Sequence, residues 1–221
     1  VNALENSPSL FHSHWWNRFR YTLWAPVYDV VIRQFYCRRQ RAFELLKIKP
    51  GEKVLLAGAG TGLDLEYIPK DAEVTAVDFT PAMLARLHKR ARRLGINVDV
   101  RQMDVQKMDF PDNTFDVVTL HMILAVVEDP VLCIREAARV LKPGGRATIF
   151  DKFIPDEGPA PLMPRLLNPI LHVLASNGTR RLGPILKGSG FRIVHEEPAD
   201  WGGWFKVILL RLDKPQEPTK H

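Results

Sequence analysis

The sequence predicts an α/β domain built on a mostly parallel, doubly wound sheet, and three observations carry that expectation. Apolar runs alternate with helical patterns from residue 53 onward. The first run, Val54 to Ala57, ends in a turn with glycine at every second position, Gly58, Gly60 and Gly62. The second run ends on Asp78, twenty residues after the first of those glycines. Glycines let a backbone pass close to a ligand, and an acid at a strand tip accepts hydrogen bonds from a ribose diol. The spacing is GxGxG rather than GxGxxG, and no third glycine stands where a pyrophosphate would be admitted. A nucleoside without phosphates fits this turn better than a dinucleotide.

Strands are expected at 53–57, 73–78, 97–102, 115–120 and 145–151, alternating with helices at 62–68, 81–94 and 130–141. Such alternation implies right-handed crossovers. The segment 155–175 interrupts it: prolines forbid a long helix, while Leu162, Met163, Leu166, Leu167 and Ile170 keep it apolar. Covering the ligand site and packing on the sheet both suit such an insertion. A helix near 179–188 follows, then strands near 191–197 and 204–212 with Gly202 and Gly203 between them. The short link favours a hairpin, hence one antiparallel strand. The tail after Asp213 is polar.

Residues 1–50 differ in kind from 51–221, which divides the chain into an N-terminal helical arm and lid and a main domain. Phe11, Trp15, Phe19 and Leu23 stand four apart, with Arg18 and Arg20 beside them. This aromatic stripe suits a lid over the domain, or a helix lying in a lipid interface with its arginines against phosphates. Pro26 ends the stripe and Lys49-Pro50-Gly51 closes the arm.

The chain has 221 residues and a formal net charge of +6, enough to bury a sizeable core and moderately basic. Its cations cluster, in the arm and again at Arg86, Lys89, Arg90, Arg92 and Arg93. An anionic membrane surface or a nucleic acid meets such clusters, and so does plain solvent. The second cluster lacks interleaved aromatic rings for base stacking, which argues against nucleic acid. No apolar stretch approaches the eighteen residues of a membrane span, and the start lacks the regions of a signal peptide, so the cytoplasm is the expected location. Cys37 and Cys133 have no metal-ligand spacing and read as small buried hydrophobes in helices, so no metal is expected.

The stretches LLAGAGTG, VTAVDFTPAML, QMDVQKMDFPDNTFDVVTLHMILAVVEDP and REAARVLKPGG resemble the successive motifs of class I S-adenosylmethionine-dependent methyltransferases, over residues 24–151. The resemblance implies a Rossmann-like seven-stranded sheet with a reversed final strand. It implies S-adenosyl-L-methionine as cofactor and S-adenosyl-L-homocysteine as product. Gly58, Gly60 and Gly62 would face the methionine part and Asp78 the ribose hydroxyls. Phe79 and Met83 would pack near the adenine, and Asp104, after Met103, would receive the adenine amino group with the Val105 backbone. His121, at the end of the fourth strand, would stand beside the sulfonium. The family's acid two residues before the first glycine is replaced by Leu56, so the amino-acid end of the cofactor must be held by backbone or by a residue from elsewhere.

WAPVYD, Trp24 to Asp29, resembles the N-terminal element of bacterial phospholipid N-methyltransferases and of ubiquinone and menaquinone biosynthesis C-methyltransferases. That makes Tyr28 the candidate gate over the cofactor, with Tyr21 a weaker one. Membrane-associated thiol methyltransferases share the apolar insertion. The expectation is a peripherally membrane-bound enzyme that methylates phosphatidylethanolamine, with a polyprenylated quinone or a small hydrophobic molecule as alternative acceptor. A non-catalytic binding module for nucleic acid or protein is the reading from another class. His121 and Asp151, at the ends of two strands, are candidate proton acceptors, although a strand-end histidine serves as well in a core and Asp151 as a loop cap. Arg180 and Arg181 are candidates for a headgroup phosphate, together with the arginines of the arm.

Overall fold

A computed structural model describes residues 36–159, 161, 176–200 and 202–213. Tyr21, Tyr28, the aromatic arm and residues 160 and 162–175 of the insertion lie outside them. Seven strands run through the described residues: β1 (Lys53–Ala57), β2 (Glu73–Asp78), β3 (Val98–Gln102), β4 (Phe115–His121), β5 (Leu141–Lys152), β6 (Phe191–Pro198) and β7 (Phe205–Leu212). The helices are α1 (Tyr36–Leu46), a 3-10 turn at Leu63–Tyr67, α2 (Pro81–Leu94), α3 (Pro130–Val140) and α4 (Leu182–Leu186).

The strands form one sheet in the order β3-β2-β1-β4-β5-β7-β6. All neighbours from β3 to β5 pair parallel, and β7 runs antiparallel to both β5 and β6. The expected hairpin is present, with its second strand inserted next to β5. The sheet changes winding direction between β1 and β4, which sets a crevice at their carboxyl ends, the place where open α/β sheets hold ligands.

Both sheet faces are covered, and alternation along each strand decides which side chain goes where. On one face Val54 and Leu56 of β1, Val74 and Ala76 of β2 and Val117 of β4 meet Phe43 and Leu46 of α1 and Leu87 and Ala91 of α2. On the other, Leu55, Val77, Val118, Leu120 and Ile149 meet Cys133, Ile134 and Ala137 of α3 and Ile185 of α4. Cys133 is fully buried, and that burial pushes its thiol well above its ordinary pKa.

Local chemistry fixes the helix ends. Pro81 and Pro130 occupy first-turn positions where a missing N–H costs nothing, and the Asp129 carboxylate accepts from the backbone N–H groups of Val131 and Leu132. Gly95 ends α2 in the left-handed conformation at φ 66°.

Three elements differ from expectation. β5 begins at Leu141 rather than 145, because Leu141 pairs with Phe115 before the register shifts and Arg146 pairs with Val117. Gly144, at φ 76°, lies within that shift, so Lys-Pro-Gly-Gly is a bulge inside a strand and not a turn before it. The helix after the glycine turn is a single 3-10 segment. The helix expected over 179–188 shortens to Leu182–Leu186, because Arg181 bridges to Ile154 and Thr179 turns on the Asn177 carbonyl oxygen of its side chain.

Candidate functional site

The glycine turn leaves β1 and is pinned to β2, since the N–H groups of Gly58 and Ala59 both donate to the Val77 carbonyl at 2.9 Å. Gly58, Gly60 and Gly62 all have positive φ, 74°, 53° and 78°. They differ in what surrounds them. A Cβ on Gly58 would lie 2.6 Å from Ile123, and one on Gly62 would lie 2.8 Å from Leu87, so these two are glycine because the chain packs against itself. A Cβ on Gly60 would meet nothing within 4 Å. The open side of the turn is therefore at Gly60, where a ligand can approach the backbone.

Asp78 ends β2 beneath that opening. Its Oδ2 accepts from Gly60 N at 2.9 Å and its Oδ1 from Thr80 N at 2.8 Å, which fixes both oxygens and leaves each a further lone pair. Burial raises its pKa, and the backbone donors oppose the rise. Phe79 is half-buried just beyond, and Met83 is buried in the first turn of α2.

The strand β3 delivers the next carboxylate. Met103 N donates to the Asp78 carbonyl at 3.2 Å, which places Asp104 one residue past the tip of β2. Asp104 Oδ1 accepts from the backbone and side chain of Gln106, at 2.9 and 3.1 Å, and Val105 is buried. Gln106 in turn accepts from Asp129 N at 2.6 Å, so one amide ties the Asp104 loop to the start of α3. Gln106 had no mark in the sequence beyond standing two residues after an acid. Two fixed carboxylates flanking an open glycine match an adenosine, whose diol and amino group both donate.

Leu56 is fully buried against Leu65 and Leu87, so the position of the missing acid faces the core. A carboxylate does lie beneath the turn, from a residue the sequence did not single out. Asp64, in the 3-10 segment, is 4% exposed. It binds the Arg39 guanidinium of α1, and its Oδ2 stands 2.9 Å from His121 Nδ1, off the line of that N–H. His121 Nε2 lies 3.0 Å from Thr148 Oγ1, and Phe43 and Phe150 present ring edges to the imidazole. Arg39 also stacks its charge over Phe150 at 5.9 Å. Burial by itself pushes the Asp64 pKa up, but His121 and Arg39 outweigh it and hold the carboxyl well below its usual range. His121 is thus 4% exposed, with Nε2 on Thr148 and Nδ1 beside Asp64, within a polar network that joins α1, the turn, β4 and β5.

Asp151 is fully buried near the end of β5. It accepts from Ala125 N at 2.9 Å and from Lys152 N at 2.8 Å, clipping the loop after β4 to the strand. Lys152 is buried beside it, its ammonium 3.8 Å from Asp151 and 5.3 Å over the Phe205 ring, and burial lowers its pKa. Arg180 donates to the Val127 carbonyl at 2.5 Å, with its other terminal nitrogen buried and without a hydrogen bond. Arg181 donates to the carbonyls of Pro155 and Gly158 and so anchors the start of the insertion. The structure therefore gathers the glycine turn, Asp78, Asp104 and their neighbours along one crevice, and sets Asp151 at the end of β5 and Arg180 and Arg181 in the segment before α4.

A methyltransferase domain family matches residues 55–149. The phosphatidylethanolamine N-methyltransferase of Cereibacter sphaeroides is 32% identical over 163 residues, which are 73% of this chain and 80% of that protein. This chain belongs to the class I S-adenosylmethionine-dependent methyltransferases. A demethylmenaquinone methyltransferase of Corynebacterium efficiens is 38% identical over 63% of this chain and 60% of its own length. The crystal structure of an S-adenosylmethionine-dependent methyltransferase from Aquifex aeolicus has the same fold, with a TM-score of 0.65 at 22% identity, over 86% of this chain and 98% of that one. The methyltransferase uses S-adenosyl-L-methionine, and the open Gly60 with the two carboxylates is a cradle consistent with it. No helix among the described residues is long and apolar enough to cross a membrane.

Proposed function

We propose that this methyltransferase acts at a membrane surface on a lipophilic acceptor, the amino headgroup of phosphatidylethanolamine, and produces its N-methylated forms. The similarity to a phosphatidylethanolamine N-methyltransferase across 80% of that protein carries the reading. The aromatic, arginine-flanked arm supports it, as a segment suited to a lipid interface.

The bound cofactor supplies a methyl group on a sulfonium, open to in-line attack. For the chain, the work is then one of placement, because holding an acceptor in line supplies much of the acceleration. In this reading Gly60 and the strand-end Asp78 hold the cofactor's backbone side and ribose, Asp104 takes the adenine, and Phe79, Met83, Met103 and Val105 shape the apolar walls. Tyr28 gates the methyl-bearing end, and Tyr21 assists at the headgroup. The acceptor amine must present its lone pair, so its proton leaves before or during attack. His121 and Asp151 act by position, His121 through Asp64 and Thr148, Asp151 by clipping the loop after β4. Arg180 is the better headgroup candidate of its pair, because one of its terminal nitrogens is without a hydrogen bond whereas both of Arg181 hold carbonyls of the insertion.

The test is incubation of the full chain with labelled S-adenosylmethionine and vesicles of different headgroups. Label in mono- or dimethylated phosphatidylethanolamine is the expected result, and its absence from every lipid would sink the proposal. A second reading, C-methylation of a polyprenylated quinone, is favoured by the 38% identity to a demethylmenaquinone methyltransferase. Label in a quinone added to the same vesicles, with none in the phospholipid, decides for it.

A further inference from the structure

The exposed side of α2 carries a pattern that neither the cofactor site nor the core uses. Pro81–Leu94 contains five lysines and arginines and no acid. Arg86, Lys89, Arg90 and Arg93 follow at spacings of three, one and three, which puts them on one helical stripe lining a shallow cavity of about 320 Å³; Lys89 and Arg93 are exposed, Arg86 is half-buried and the Arg90 side chain is 10% exposed. Like charges three and four apart on a helix repel, so such a stripe weakens the helix that carries it. Glu66 relieves part of the repulsion, at 3.4 Å from Arg90 and 3.7 Å from Arg93. No ion pair joins Arg86 or Lys89 to another described residue. The helix dipole favours cations in the last turn and accounts for Arg92 and Arg93, but Arg86 and Lys89 lie before it.

We infer that the α2 stripe is a docking surface for an anionic phospholipid bilayer, with Arg86 and Lys89 as the cations that no described acid pairs. The inference rests on the membrane-surface reading above and adds to it a second contact, independent of the aromatic arm. Complementary charge is the recognition: each lysine or arginine held at an anionic surface adds attraction that salt screens. Placement agrees. Leu87 and Ala91 of α2 pack into the same cluster as Phe43 and Leu46 of α1, so the stripe flanks the sheet face on which the chain enters from the arm. Nucleic acid is disfavoured, because α2 carries no Phe, Tyr or Trp to stack a base.

The experiment uses the full chain, with co-sedimentation on phosphatidylglycerol and on phosphatidylcholine vesicles. Arg86→Gln/Lys89→Gln is expected to weaken binding to phosphatidylglycerol vesicles by roughly 10–30-fold, and Arg86→Glu/Lys89→Glu by more. Arg86→Lys should restore most of the affinity. Titration with S-adenosylmethionine and the thermal midpoint should match wild type in the Gln variant, showing that the fold is intact. Unchanged phosphatidylglycerol binding in both double variants overturns the inference. So does loss of binding to a short RNA with vesicle binding intact. Methylation of detergent-dispersed phosphatidylethanolamine reads the acceptor separately: lipid label with no effect of the stripe defeats only the stripe, and stripe-dependent binding with no label defeats only the acceptor.

Discussion

Two regions meet at the carboxyl edge of the sheet and are built by different means. The turn between β1 and β2 works through backbone: three left-handed glycines, N–H groups given to the Val77 carbonyl and, from Gly60, to Asp78, and one open position at Gly60. Beneath it, Arg39, Asp64, His121 and Thr148 form a buried network of side chains from four separate segments. The first region is specified by shape and tolerates little added volume. The second is specified by charge and tolerates no missing partner, because a buried ion left alone costs more than the pair contributes.

The strongest way to break this contrast is Asp64→Asn, which leaves Arg39 buried beside an uncharged amide. It should lower stability by about 3–5 kcal/mol in urea unfolding, and Arg39→Met/Asp64→Leu should recover much of that loss. Acid sharpens the same point. Asp64 has a depressed pKa in the folded chain, so the unfolded chain binds its proton first as pH falls. Its contribution is complete above the ordinary Asp value of about 3.9 and is lost progressively below it. Urea midpoints at successive pH values below 4 should therefore fall less steeply in Asp64→Asn than in wild type.

Next in size is Gly58→Ala. Positive φ and a Cβ that would lie 2.6 Å from Ile123 together should cost about 2–4 kcal/mol of stability, read by thermal or chemical unfolding. Gly60→Ala meets no such contact, so it should be the milder of the two in stability and the more damaging relative to its stability loss in cofactor binding. Asp78→Asn should weaken S-adenosylmethionine by ~10–100-fold in a calorimetric titration, the worth of hydrogen bonds to a charged acceptor. Gln106→Ala should cost the least, about 1 kcal/mol in the same titration, because it acts on the cofactor only through Asp104.

The same contrast explains what the sequence made legible. β1, β2 and β4 are largely buried and carry mostly apolar stretches, so their positions stand within a residue of expectation. Gly58 to Gly62 and Asp78 were legible because a glycine turn and a strand-end acid lie close together along the chain. The Arg39–Asp64–His121–Thr148 network was not. Arg39 stands among the clustered cations of the arm and Asp64 carries no motif, and only the sheet brings them to His121. The β5 bulge escaped for another reason: Lys142-Pro143-Gly144-Gly145 has turn composition, and cross-strand pairing to Phe115 overrides it. Arg181 had seemed a free cation until the carbonyls of Pro155 and Gly158 took it up.

The strand order has a further consequence, for the birth of the molecule. Among the described residues, β6 pairs with the sheet only through β7, and β7 is made after it. While the ribosome is still short of Phe205–Leu212, β5 presents an unpaired edge carrying Ile149 and Ala147, and β6 has nowhere to dock. A nascent chain can therefore assemble its cofactor half early, but it waits on the last strand to seal the other side. During that interval the open edge is a site for chaperones or for aggregation.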